Sequence, residues 1–162
     1  MMPGKQTKAV FLVVMPAVFL AASQLFAAQV SMPVTQARAG ETVASSVQYR
    51  AQGAEVAALN FDLAFDDSVL TITPTVGSAA ADAGKGLEYT VLPSGNLRVL
   101  IFGVNENVIG DGSLIDLTIE VSADSSPGPH VIEFVDATFA NPDAEAVPVR
   151  PRSGRVIRVG GP

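Results

Sequence analysis

The chain has no cysteine and no tryptophan, and only two tyrosines and one histidine, in 162 residues. Without cysteine there is no disulfide, so a domain that leaves the cell must be held by its core rather than by covalent staples. A lipid anchor on a cysteine is likewise not expected. With Tyr49 and Tyr89 as the sole tyrosines, a flat sugar-binding face built on stacked rings lacks its usual material. The lone His130 stands beside Pro129 at a strand start and reads as a solvated turn residue rather than a catalytic base. No carboxylate pair is singled out for glycoside hydrolysis either. The expectation is a protein that is not an enzyme. Positive charge is scarce too: ten Lys and Arg against sixteen Asp and Glu give a net charge of −6, which disfavours nucleic acid and anionic membrane as partners.

What is present begins with a leader. Lys5 and Lys8 precede an uncharged apolar run, Ala9 to Ala22, that gives way to small residues, the three-part layout of a secretory signal peptide. The run is broken by Pro16 and falls short of the about 20 apolar residues a permanent span requires. Cleavage fits after Ser23 or after Ala28. Taking residues 1–28 as leader leaves residues 29–162 as one secreted domain, extracellular or periplasmic. Loss of the two leader lysines takes the net charge to −8.

Beyond the leader the chain reads as strands separated by turn residues, with no convincing helical period. Val30 to Thr35, Thr42 to Tyr49, a strand ending at Phe65, Val69 to Thr73, Leu87 to Leu92, Leu97 to Gly103, Leu114 to Val121, Val131 to Val135 and Gly154 to Val159 are the expected strands. Gly77 to Gly86, rich in Ala and Gly, reads as a long loop with room for one helical turn at Ala79 to Ala83. Ala137 to Pro151 is a looser segment broken by prolines. About nine strands with turns every 8 to 12 residues indicate an all-β, single antiparallel β-sandwich. Arg150, Arg152, Arg155 and Arg158 crowd the last dozen residues, which reads as a solvated face, with contact to an acidic partner as the alternative.

Two stretches carry the functional reading. In Leu59 to Ile72, Phe61, Leu63 and Phe65 fall on one face of a strand and Asn60, Asp62 and Ala64 on the other, so the second set is expected to be wet. In Leu97 to Gly103, Leu97, Val99 and Ile101 share one face and Arg98, Leu100 and Phe102 the other. Both faces are largely apolar, so one of them is expected to lie outside the core as an interface unless a loop or adjoining strand covers it.

In order along the chain, Ala39-Gly40-Glu41-Thr42-Val43, Asn60-Phe61 through Phe65-Asp66 to Val69-Leu70, Val99 to Phe102, Asp111-Gly112 with Leu114 to Val121, and Gly154 to Val159 resemble the cohesin family, the sandwich modules that hold dockerin-bearing partners in cellulose-degrading assemblies. The resemblance implies a jelly-roll sandwich, no catalysis and no cofactor. It also implies partner binding on the outward face of one sheet, with any calcium held by the partner's loops. Asn60 takes the position of the key polar contact, and Ile101, Gly103 and Val104 fall on the platform's far strand. Joined to the exposed-face reading, the expected partner site is Asn60, Asp62, Leu97, Val99, Ile101, Gly103 and Val104, and Ile101→Asp is expected to abolish capture with the fold intact. A carbohydrate-binding module and a matrix or surface-assembly subunit are the alternatives, so polysaccharide stays open as a partner. Asn105, Glu106, Asn107 and Asp111 offer several oxygens in one loop, yet match no established calcium-loop spacing; Asp62 and Asp66 read as an outward strand residue and a turn former rather than a metal pair.

Overall fold

Strict apolar alternation makes strand wherever it is long enough to bury one face, and Leu114 to Val121 shows the rule. Ile115, Leu117, Ile119 and Val121 are buried while Asp116, Thr118 and Glu120 are exposed. The computed structural model describes residues 27–160; the leader, apart from Ala27 and Ala28, lies outside the described residues.

Among the described residues twelve strands and one short helix follow in chain order: β1 Ala28–Ser31, β2 Val34–Ala37, β3 Thr42–Arg50, β4 Ala58–Ala64, β5 Leu70–Val76, α1 Ser78–Asp82, β6 Gly86–Val91, β7 Leu97–Phe102, β8 Gly112–Val121, β9 Gly128–Ala140, β10 Ala146–Val147, β11 Val149–Arg152 and β12 Gly154–Arg158. They form two packed sheets, in the orders β11-β1-β3-β8-β5 and β2-β12-β9-β4-β7-β6, with β10 added to β9. The sandwich is therefore as expected, with more strands. The single first strand is two, because Met32-Pro33 separates β1 in one sheet from β2 in the other; proline supplies no amide to a ladder and suits such a crossing. The looser segment after Ala137 supplies the end of β9 with β10 and β11. Nor is the pairing purely antiparallel: β1 with β11 and β2 with β12 run parallel.

The core lies between the sheets, with Val47 and Tyr49 of β3 and Leu117 and Ile119 of β8 from one side and Phe61, Leu63 and Phe139 from the other. Tyr49 and Phe139 meet with ring centroids 6.2 Å apart. Helix α1 buries Ala79 and Ala80, and the Gly77 amide at its start donates to Leu114 O at 2.9 Å. A side chain at Gly77 would strike the Ser113 backbone, so glycine there sets how closely the helix approaches β8. Turn chemistry fixes the exit from β4: the Ser68 amide and hydroxyl both donate to Asp66 Oδ1, at 3.0 Å and 2.5 Å. These bonds hold the Asp66 carboxyl below its ordinary pKa.

Candidate functional site

The outer face of the seven-stranded sheet is decided by register. Leu59 lies opposite Ile101, Phe61 opposite Val99 and Leu63 opposite Leu97, and residues directly opposite share a face. Phe61 and Leu63 are fully buried, so Leu97, Val99 and Ile101 must turn inward with them. They do, at 1%, 0% and 0% exposure. This corrects the expected site: these three side chains are core and cannot touch a partner. The reasoning that one apolar face of β7 must lie outside the core holds, but the outward face is Arg98, Leu100 and Phe102, with Leu100 38% and Phe102 48% exposed.

Around those two residues the sheet forms a shallow groove of about 380 Å3, bordered by Ala58 and Asn60 of β4, Leu100 and Phe102 of β7, and Thr138 and Ala140 of β9. Asn60 sits half-buried at its centre, between Leu100 on one side and Thr138 on the other. Gly103 is half-buried and Val104 fully exposed just past the end of β7. The face thus presents two large apolar groups with a central amide, small residues along one side and a projecting valine at one end. An apolar centre with polar neighbours is the composition of a protein-docking surface.

Asp62 is the second correction. The expected wet rim residue is only 2% exposed, because its cross-strand partner is Arg98, whose side chain lies over it. Arg98 Nε donates to Asp62 Oδ1 at 2.7 Å and Nη2 to Oδ2 at 2.8 Å, a bidentate pair of the strong kind. The Asp62 hydrogen bond, and next its charge, push the guanidinium pKa above its ordinary value, and Asp136 adds to the same field. Asp136 stands at φ 50°, where the β4–β9 register shifts between Asn60 and Asp62; the bulge re-aims that stretch of β9 beside the pair. Asp62 is therefore a support beneath this sheet face, and Arg98 is the group of the pair exposed on it. Removing Arg98 leaves a buried carboxylate uncompensated, whereas removing Asp62 leaves a half-exposed arginine that water can solvate. Thermal melts should accordingly rank Arg98→Ala well below Asp62→Asn in stability.

The oxygen-rich loop after β7 is held by an ammonium group. Lys85, 5% exposed, donates from Nζ to both the backbone and side-chain oxygens of Asn105, each at 2.8 Å. Burial lowers its pKa. Asn107 Nδ2 donates to Ala83 O at 3.2 Å, and Asp111 Oδ1 accepts the Ala51 amide at 2.7 Å, so these side chains pin the loop to α1 and β3. Among the described residues no three His, Cys, Asp or Glu side chains gather as a metal site. His130 Nε2 lies 3.1 Å from Ser126 O, within its own turn.

Sequence reasoning missed Leu100, Phe102, Thr138 and Arg98 as surface residues. For β7 the signal was present: Arg98 shares parity with Leu100 and Phe102, and a charged residue in a row points to the wet side unless it is paired inside. Thr138 carried no such signal, since its place across from Asn60 arises from a register shift.

The fold and its groove can be set against known proteins. The cohesin-domain family model matches residues 28–157. Among solved structures, the chain superposes on a chain of the Coh-OlpA–Doc918 type I cohesin–dockerin complex of Clostridium thermocellum with TM-score 0.71 at 18% identity, covering 82% of this chain and 99% of that one. The sixth cohesin of scaffoldin B from Acetivibrio cellulolyticus, solved with a Cel5 dockerin, gives TM-score 0.72 at 16% identity, covering 82% and 99%. A non-cellulosomal cohesin from the archaeon Archaeoglobus fulgidus gives 0.68 at 20%, covering 83% and 92%. No curated protein sequence matches the chain. At these identities the structural likeness is one of fold, while the family model spans nearly the whole described sandwich. The chain belongs to the cohesin family.

Proposed function

We propose that the chain is a secreted, non-catalytic binding module that docks a dockerin-type protein on the outer face of its seven-stranded sheet, through Leu100, Phe102 and Asn60, with Val104 at the end of the platform. The observation that carries the reading is the pair Leu100 and Phe102, exposed side by side on a flat face of a cohesin sandwich. Rigid docking needs little rearrangement here, because regular strands hold the contact residues. Any calcium dependence resides in the partner. A role in polysaccharide-degrading assemblies belongs to the same proposal. Sugar binding is the weaker reading: the groove bears one aromatic ring, Phe102, and Tyr89 stands on the edge strand β6.

The test is capture from the organism's own culture supernatant by the immobilised mature domain, in calcium and then in chelator, beside binding to insoluble cellulose. Retention of a dockerin-bearing protein that chelator releases supports the proposal. Binding to cellulose without such capture refutes it.

Export carries its own expectation. Ala28 is fully buried in β1, and its amide donates to Pro148 O at 2.9 Å. Cleavage after Ala28 would remove that residue and place a charged terminus beside the core, so cleavage after Ser23 is the reading the fold favours. Intact mass of the exported protein should correspond to a chain beginning at Gln24; a start at Gln29 would count against it.

A further inference from the structure

The four C-terminal arginines that the sequence places together are divided by the fold. Arg155 and Arg158 lie on β12 in the seven-stranded sheet, while Arg150 and Arg152 lie on β11, the edge of the five-stranded sheet. There they join a third. Gln29 of β1 stands opposite Arg150 on one side and Arg50 of β3 on the other, and Ser31 stands opposite both Arg152 and Gln48. Ala28 and Val30 point into the core, so Gln29 and Ser31, with everything in register beside them, face outward. Arg50, Arg150, Arg152 and Gln48 are all exposed. Strands spaced roughly 5 Å apart and alternate residues roughly 7 Å apart place the three arginine Cα atoms within about 12 Å of one another.

Among the described residues none of the three is in an ion pair; the pair there is Arg98 with Asp62. Their register neighbours are amides and a hydroxyl. Asp111 adjoins Arg50 along a polar groove with Ser31, Gln48 and Tyr49; its Oδ1 accepts the Ala51 amide, and its charge offsets part of the field at the Arg50 end. Gln29 Oε1 accepts from Gln52 Nε2 at 3.1 Å. On a protein of net charge −6, three unpaired guanidinium groups gathered on one flat face form a local positive field, and patches separated by more than about 8–10 Å of saline are screened from it.

We infer that this face, on the sheet opposite the docking groove, binds a carboxylate-bearing polysaccharide. Guanidinium groups donate to carboxylates two bonds at a time, and the amides and hydroxyl between them suit sugar hydroxyls. The face holds no apolar side chain of the kind that anchors a protein partner, which sets it apart from the Leu100–Phe102 groove. It also holds no exposed aromatic on which a nucleobase would stack. The module would then hold a protein on one sheet and an acidic glycan on the other.

Native gel electrophoresis of the mature chain through polygalacturonate tests this, with dextran, polyglutamate and single-stranded DNA as parallel matrices. Retardation is expected in polygalacturonate alone, weakening roughly two- to fivefold in affinity with each of Arg50→Ser, Arg150→Ser and Arg152→Ser and vanishing in high salt. Arg155→Ser, on the other sheet, should behave as wild type. Thermal melts of each variant separate lost binding from lost fold. No retardation, retardation unchanged in the triple variant, or equal retardation by polyglutamate or DNA would overturn the inference. Dockerin capture is a separate readout, so either result stands independently.

Discussion

Ile101→Asp should give no folded domain. Ile101 is fully buried, between Leu59 on β4 and Leu87 on β6. Truncating such a side chain alone costs about 2–5 kcal/mol. A carboxylate in its place adds a desolvation penalty of several kcal/mol with no cation there to offset it, against a total stability of about 5–15 kcal/mol for a typical domain. The variant should aggregate or show no cooperative melt, and loss of binding in it would report lost structure. The idea that Ile101→Asp removes binding and spares the fold is thereby set aside. Substitution one position along the strand reverses the outcome, because Phe102 faces water. Phe102→Asp should melt within a degree or two of wild type, and circular dichroism of the two variants side by side checks the assignment of faces.

The second large effect is on binding. Leu100→Asp and Phe102→Asp each place a charge at the apolar centre of the proposed interface, where well-packed contacts carry about 2 kcal/mol or more, or roughly 30-fold in affinity. Calorimetry of the captured partner against each variant should show at least that loss, with a cooperative melt retained. Asn60→Ala should cost less, about 0.5–1.5 kcal/mol, as expected for one hydrogen-bonding group. Wild-type affinity in both apolar variants would move the partner off this sheet.

Much of the sandwich was legible because alternation is a local signal. Ile115, Leu117, Ile119 and Val121 announce their buried face without reference to any other strand, and Asp66 and Ser68 announce their turn by the bonds their side chains make. For β7 the sequence holds one local cue to the inward face, the parity of Arg98 with Leu100 and Phe102, and no apolar contrast beside it. Leu97, Val99 and Ile101 alternate as cleanly as Leu100 and Phe102, and the choice is made by pairing with β4, a contact about 38 residues away in sequence. Asp62 failed for the same reason: its burial depends on Arg98 across the strand gap. The parallel edge pairs and the bulge at Asp136 are likewise products of long-range register. Asn60 keeps its expected place, half-buried on the outward face, since its parity opposes Phe61 whatever the neighbouring strand does, and Gly103 and Val104 stay outside the core past the end of β7.

The proposed partner docks on the outward face of β4, β7 and β9. Two-dimensional NMR of the methyl and side-chain amide groups of the isotope-labelled mature domain, titrated with the calcium-loaded dockerin module of the captured partner, tests it most directly. The expected result is shifts centred on Leu100, Asn60, Thr138 and Val104, with the five-stranded sheet unmoved. Shifts gathered instead on β1, β3 and β8, with Leu100 and Asn60 silent, would contradict it.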